Sequence, residues 1–344
     1  MATTRVREIR SRWLKPRIFL TDAGNVRRLS ITLTQLRSFL AVVRTGSVRA
    51  AADDLVVTQP SVSAAVSALA EEVGTDLTER AGRSVRTTPA GDVFAPYAAD
   101  VLGLLEQGER AALEAAEVAE RELRIVAVTT AAEYLVPPVM QAFGERHPGL
   151  ALTLDVGNRD HVFRQVLEHR GDVAIGGRPP DDGGRLVGAS FADNEFVLIT
   201  SLDDPLSRRR SVRLPELADR AWLMREPGSG TRAFNEEFLA RHEITPQLLT
   251  LGSNGAIKQA VRAGIGVSLQ SRVAVELELA SGVVTSIRLR ERLPVRRWYV
   301  LRSAIGPVRR PVEDFIAFLT SEPGERALHD RRPPSQRAVD SRDV

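Results

Sequence analysis

Between Thr32 and Arg86 the apolar positions fall into three short helical phases followed by a hairpin pattern. Leu36, Phe39, Leu40 and Val43 set the inner face of the first helix, with Thr32 and Gln35 as a capping box and Thr45–Gly46 as its end. Ser47 can cap a second helix, Val48 to Leu55, whose inward residues are Val48, Ala51, Ala52 and Leu55; the small Ala50, Ala51 and Ala52 permit a close neighbour. After the turn Val56–Val57, Thr58 caps a third helix. Pro60 sits in its first turn, where a missing N–H costs nothing, and Val62, Val66, Leu69 and Val73 follow at spacings of 4-3-4. Two helices joined by a short turn, the second polar at its start and apolar within, make a helix-turn-helix candidate; a plain three-helix packing unit has the same spacing. Leu77–Arg80 and Val85–Thr87 can pair around Ala81–Gly82–Arg83, giving a wing.

Thr88 and Pro89 mark the start of a long helix to about Ala119, with Val93, Tyr97, Val101, Leu104, Leu105, Ala112 and Ala115 as its apolar stripe. Pro96 should kink it or stop its first turns. From Leu123 the pattern becomes alternating strands and helices. Strands are expected at 123–128, 151–156, 173–175, 195–200, 222–225, 248–251, 265–269 and 298–301. Helices are expected at 134–146, 161–170, 231–241, 256–263 and 312–319. This is an α/β pattern of mostly parallel sheets, long enough for two small lobes, about 121–198 and 199–294. The domain order expected is a basic, solvated extension 1–31, a winged helix-turn-helix unit 32–88, a linker helix 89–120, an α/β region 121–320 and a disordered, charge-alternating tail 321–344.

Charge separates these parts. Residues 1–90 hold fourteen Arg or Lys against eight Asp or Glu, a net of +6, while the whole chain carries +3, so the remainder is −3. The basic end is therefore the one suited to phosphates, and residues 1–31 are read either as solvated chain or as an arm adding nonspecific phosphate contacts. Only Lys15 and Lys258 are lysines; the other 45 basic residues are arginine. The absence of cysteine excludes disulfides and thiolate chemistry. No apolar run reaches about 18 residues, so no membrane partner is expected. His147, His161, His169, His242 and His329 show no metal-ligand spacing and read as solvated surface groups, and no nucleotide-binding glycine motif follows the first strand. The expectation is a chain with no catalytic residues, metal site or cofactor.

The segments 33–52, 58–63 (ThrGlnProSerValSer), 71–80 and 86–91 closely resemble the DNA-binding end of LysR-type transcriptional regulators. Thr78 stands where that family usually has Phe, and Ala64, Ala65 and Ser67 are shorter than the side chains common in relatives. The resemblance implies a cytoplasmic homodimer or homotetramer, paired through the linker helix, on double-stranded promoter DNA, and leaves room for contact with RNA polymerase. It also implies a two-lobed, periplasmic-binding-protein-like effector domain, in which residues 295–320 return to complete the first lobe (121–198) beside the second (199–294). Segments 226–232, 251–267 and 296–300 look like the subgroup regulating the Calvin-cycle carbon-fixation operon, although Gly255 stands where that subgroup has Glu. On DNA, Gln59, Ser61 and Ser63 beside Thr58 are the expected groove residues, and Arg37, Arg49, Arg83 and Arg86 the expected phosphate or minor-groove contacts. For a small anionic metabolite, the strand-to-helix junctions offer Thr129, Thr130, Arg178, Ser229, Thr231, Ser253 and Asn254. The competing reading is a metabolite-binding protein whose basic end is incidental.

Overall fold

Side-chain caps set the starts of the first helices in the computed structural model, which describes residues 30–82, 84–117, 121–180 and 183–329. Thr32 Oγ1 accepts from the Gln35 N–H at 3.3 Å while Gln35 Oε1 accepts from the Thr32 N–H at 2.7 Å, opening α1 (Leu33–Thr45), which stops at a left-handed Gly46. Ser47 caps α2 (Val48–Leu55) and Thr58 caps α3 (Gln59–Val73). Ala41, Val42, Ala51, Ala52 and Val62 form the contact between these helices, so α1 buries Val42 and leaves Val43 exposed. The inward face is broader than the apolar spacing alone predicts, because the small Ser38 and Ala41 are buried along with Leu36, Phe39 and Val42. The wing is β1 (Thr78–Ala81) paired antiparallel with β2 (Ser84–Thr87); Arg83 lies outside the described residues, as do residues 1–29.

Helix α4 (Pro89–Ala115) runs on through Pro96 rather than stopping there. Its first half completes the core of the N-terminal unit: Ala98 and Leu102 bury with Leu36, Phe39, Leu69 and Leu77, and the Phe94 and Phe39 rings lie 5.8 Å apart. That packing supplies what one lost backbone hydrogen bond at Pro96 removes.

The remaining chain builds two lobes. In the first, β3 (Arg121–Val128), β4 (Leu150–Gly157) and β5 (Val173–Gly176) pair in parallel, and α5 (Thr129–Tyr134), α6 (Val136–Gly144) and α7 (Arg159–Leu167) connect them. The edge strand β6 (Leu186–Asn194) leads into the second lobe. There β7 (Phe196–Thr200) lies between β10 (Ser268–Ser271) and β11 (Thr285–Ile287), both antiparallel to it. Parallel β8 (Trp222–Met224) and β9 (Leu248–Thr250) join them through a bridge from Trp222 to Val267. Helices α8 (Gly230–Arg241), α9 (Asn254–Arg262) and α10 (Arg272–Ala280) pack on this lobe. β12 (Arg296–Ser303) then returns, giving a first-lobe order of β4-β3-β5-β12-β6 with β12 antiparallel to both neighbours. The sheets are thus mixed, not mostly parallel, because the returning strand arrives from the opposite end. α11 (Arg310–Leu319) covers the sheet. α12 (Glu322–His329) follows where a disordered tail is expected from sequence; Ala327 and Leu328 bury against the first-lobe core, which orders the start of that segment.

Candidate functional site

The exposed start of α3 presents a polar, uncharged surface. Thr58 Oγ1 accepts from the Ser61 N–H at 3.3 Å and lies 2.8 Å from Ser61 Oγ, so the cap also fixes Ser61. Gln59, Ser61 and Ser63 are exposed, as are Ala64 and Ser67, while Val62 and Leu69 hold the opposite face in the core. Arg49, on α2, is exposed. Arg86 pairs loosely with Glu79 across the wing at 3.4 Å, and Arg37 faces Glu106 of α4 at 3.9 Å. Thr78, at the position where an aromatic would pack, is half-buried beside the fully buried Leu77.

A second surface lies between the lobes, a small cleft open at its mouth, with about 30 Å³ of enclosed space. Thr129 and Thr130 meet Ser229 and Thr231 there, with Asn158, Arg159, Asn194, Arg225 and Arg296 also on its wall. Two helices aim their N-termini at it without a capping side chain: α5 begins at Thr129 and α8 at Gly230. Their first-turn N–H groups therefore remain available to an anion. Arg178 is exposed outside the cleft; only its carbonyl takes part, accepting from Arg159 Nη2 at 3.2 Å. Ser253 is exposed and spent as the cap of α9. Asn254 is buried behind the wall as a clasp between lobes: its Nδ2 donates to Thr130 Oγ1 and Glu133, and its Oδ1 accepts from Arg225.

Asn158, Arg159, Asn194, Arg225 and Arg296 are cleft groups that sequence reasoning missed, and of these Arg159 and Arg296 carry unpaired charge. Arg296 donates from Nη1 to the Gly230 carbonyl at 2.9 Å, and its guanidinium lies 5.2 Å from the Phe234 ring centroid. Arg159 sits over Phe163 at 4.7 Å. Neither forms an ion pair among the described residues, whereas Arg225 is paired with Glu226. Burial, and then the neighbouring Arg159 charge, lower the pKa of Arg296. Two cations facing one another in a half-dry cleft repel, and an anion placed between them would relieve that cost. The signal available was positional: Arg159 opens α7 behind the cap Asn158, and Arg296 opens the returning strand.

Helix α4 also docks on the first lobe. Asp100 lies 3.1 Å from His169 Nε2 and accepts from Arg185 at 2.8 Å. Arg309 bridges Glu114 and Asp172, each at 2.6 Å, and Asp172 further accepts from the Arg124 N–H. His169 is 4% exposed, so it is a buried partner of α4 and not the solvated surface group expected from its sequence spacing. His161, in contrast, pairs with Asp155 at the surface.

Family models match both halves of this arrangement. Residues 33–92 match the bacterial regulatory helix-turn-helix protein model of the lysR family, and residues 116–323 match the LysR substrate binding domain. The RuBisCO operon transcriptional regulator of Acidithiobacillus ferrooxidans is 34% identical over 300 residues, covering 86% of this chain and 96% of that protein. The HTH-type transcriptional activator CmpR of a Synechocystis strain is 30% identical over 290 residues, covering 84% and 94%. Among solved structures, the Synechocystis CcmR regulatory domain in complex with 2-PG is 32% identical, with a TM-score of 0.55, covering 58% of this chain and 96% of that one.

Proposed function

Because the chain belongs to the LysR family of DNA-binding transcriptional regulators, we propose that it reads promoter DNA through α3 as a homo-oligomer and is switched by a small anion held between its lobes. The observation that carries the effector class is the pair Arg159 and Arg296, both without ion pairs, beside the uncapped starts of α5 and α8. A small metabolite bearing carboxylate or phosphate groups fits this set, with Thr129, Thr130, Ser229 and Thr231 as hydroxyl partners. The related CcmR domain was solved with 2-PG, and we include that compound in the class to be tested. Calorimetric titration of the full chain with 2-PG, other phosphorylated carboxylates, simple dicarboxylates and uncharged sugars checks this. Anions should bind and uncharged sugars should not; equal binding of both would sink the anion reading.

On DNA, Gln59 is the residue best able to read a base, since its amide donates and accepts at once. Thr58, Ser61 and Ser63 supply shorter contacts beside it, and Arg49, Arg83 and Arg86 supply phosphate contacts. The exposed stripe Val93, Tyr97, Val101 and Leu105 on α4 supports pairing with the same helix of a second copy, which would place two reader helices on a symmetric site. Contact with RNA polymerase and a cytoplasmic setting belong to this reading. Gln59→Ala should cost about 1–3 kcal/mol on the protein's own upstream DNA and little on random DNA, measured by mobility shift. A wild-type protein that binds its upstream region no better than random DNA would favour the metabolite-binding alternative.

A further inference from the structure

The second lobe carries a concentration of positive charge that neither the reader helix nor the cleft uses. Residues 207–216 hold Arg208, Arg209, Arg210 and Arg213, and residues 286–292 hold Arg288, Arg290 and Arg292, against only Glu216 and Glu291. The fold brings these two stretches side by side. Val212 bridges Leu289 in parallel; its N–H donates to the Arg288 carbonyl at 2.9 Å, and its carbonyl accepts from the Arg290 N–H at 3.0 Å. Alternation then sorts the side chains. Val212, Leu214 and Leu289 pack into the lobe's core, while all seven arginines are exposed. Arg290 Nε donates to Ser211 Oγ at 3.2 Å, which ties the two rows to one face.

Most of that charge is uncompensated. Glu216 takes Arg209 at 2.5 Å and Arg213 at 3.8 Å, and Glu291 is half-buried. Asp204, the nearest buried acid, is occupied by Thr200, the Leu206 N–H and Arg220. The guanidinium groups of Arg208, Arg210, Arg288 and Arg292 have no hydrogen-bond or ion-pair partner among the described residues. A solvated face normally mixes signs, and here like charges are set next to one another in a region of the chain that is otherwise acidic. No large apolar side chain is exposed between residues 207 and 214 or between 286 and 293. A protein partner would need such anchors; a phosphodiester backbone needs only the guanidinium forks.

We propose that this arginine ridge is a second, sequence-independent DNA-binding surface, which engages the phosphate backbone flanking the site read by α3. It rests on the regulator reading above but adds a contact outside the helix-turn-helix. The test compares the wild-type full chain with the quadruple variant Arg208→Ser, Arg210→Ser, Arg288→Ser, Arg292→Ser and with the four corresponding Arg→Lys changes. Each is titrated with upstream DNA of fixed core and increasing flank length, over a range of salt. Melting curves and anion titration verify that the lobe is folded. With long flanks the serine variant should lose at least tenfold in affinity, and its slope of log K against log salt should fall by up to about 0.9 for each phosphate contact removed. On the bare core it should match wild type, and the lysine variant should retain most of the long-flank affinity. Identical affinity and slope on every fragment would overturn the ridge, while wild-type protein that ignores its upstream DNA altogether would overturn the regulator reading beneath it. Unchanged DNA binding with lost transcription in a purified polymerase assay would assign the ridge to an acidic protein instead.

Discussion

Arg296 concentrates the functional tension of the cleft in one side chain. Its guanidinium gives up much of its hydration for one carbonyl and two aromatic rings; a second arginine lies nearby, and the more distant Glu237 offsets it only in part, without an ion pair. Such a charge is tolerated rather than stabilising, and its benefit appears only when an anion arrives. Replacement by a flexible apolar side chain, Arg296→Met, should therefore leave the melting temperature of the ligand-free protein unchanged or raised. The same change should weaken anion binding by about tenfold to a hundredfold, the range for a hydrogen bond to a charged group. Parallel melting and calorimetry read both effects. A variant that is strongly destabilised but binds anions normally would assign Arg296 to the architecture alone.

Elements with their own start and stop signals could be read from the chain, and those defined by partners could not. α1, α2 and α3 each carry a hydroxyl cap and an inward face at helical spacing, so the reader helix and its polar first turn follow from local residues. β6 was missed because its sequence, rich in Gly, Ala and Ser, has little apolar alternation; its pairing with β12 defines it. α10 was missed for the opposite reason: Val273, Val275, Leu277 and Leu279 alternate as a strand would, yet the segment packs as a helix on the second-lobe core. In the cleft, Thr129, Thr130, Ser229 and Thr231 were visible as junction residues, but nothing local shows that a lone arginine at 159 and another at 296 will meet. Helix α4 carries its own prediction. Val101→Asp with Leu105→Asp places charge in its exposed apolar stripe and should shift sedimentation from dimer or larger species toward monomer, with loss of tight binding to a symmetric site. Unaltered sedimentation would move the pairing surface elsewhere.

At the scale of the whole molecule, the close fit between α4 and the first lobe joins the N-terminal unit to the lobe that forms one wall of the cleft. A Cβ at Gly103 would lie 2.6 Å from the Glu168 carbonyl oxygen and 2.6 Å from the His169 Cβ, so the helix approaches as nearly as backbone allows. Gly103→Val should cost about 1–3 kcal/mol or lever the helix away, and urea unfolding together with anion affinity would register it. Helix α7 spans the distance between the two places: Arg159 at its start lines the cleft, and His169 just beyond its end meets Asp100. The two family models leave residues 93–115 between them, as though this were a dispensable spacer. Physically it is a shared part. Cutting the chain before residue 121 would strip Asp100 from His169 and Arg185, remove Glu114 from the buried Arg309, and uncover the place where Leu104 sits against Gly306. The border between modules that a gene fusion or a trimmed sensor would respect is therefore not the border in the sequence: a transplantable sensor that keeps these contacts carries the second half of α4 with it.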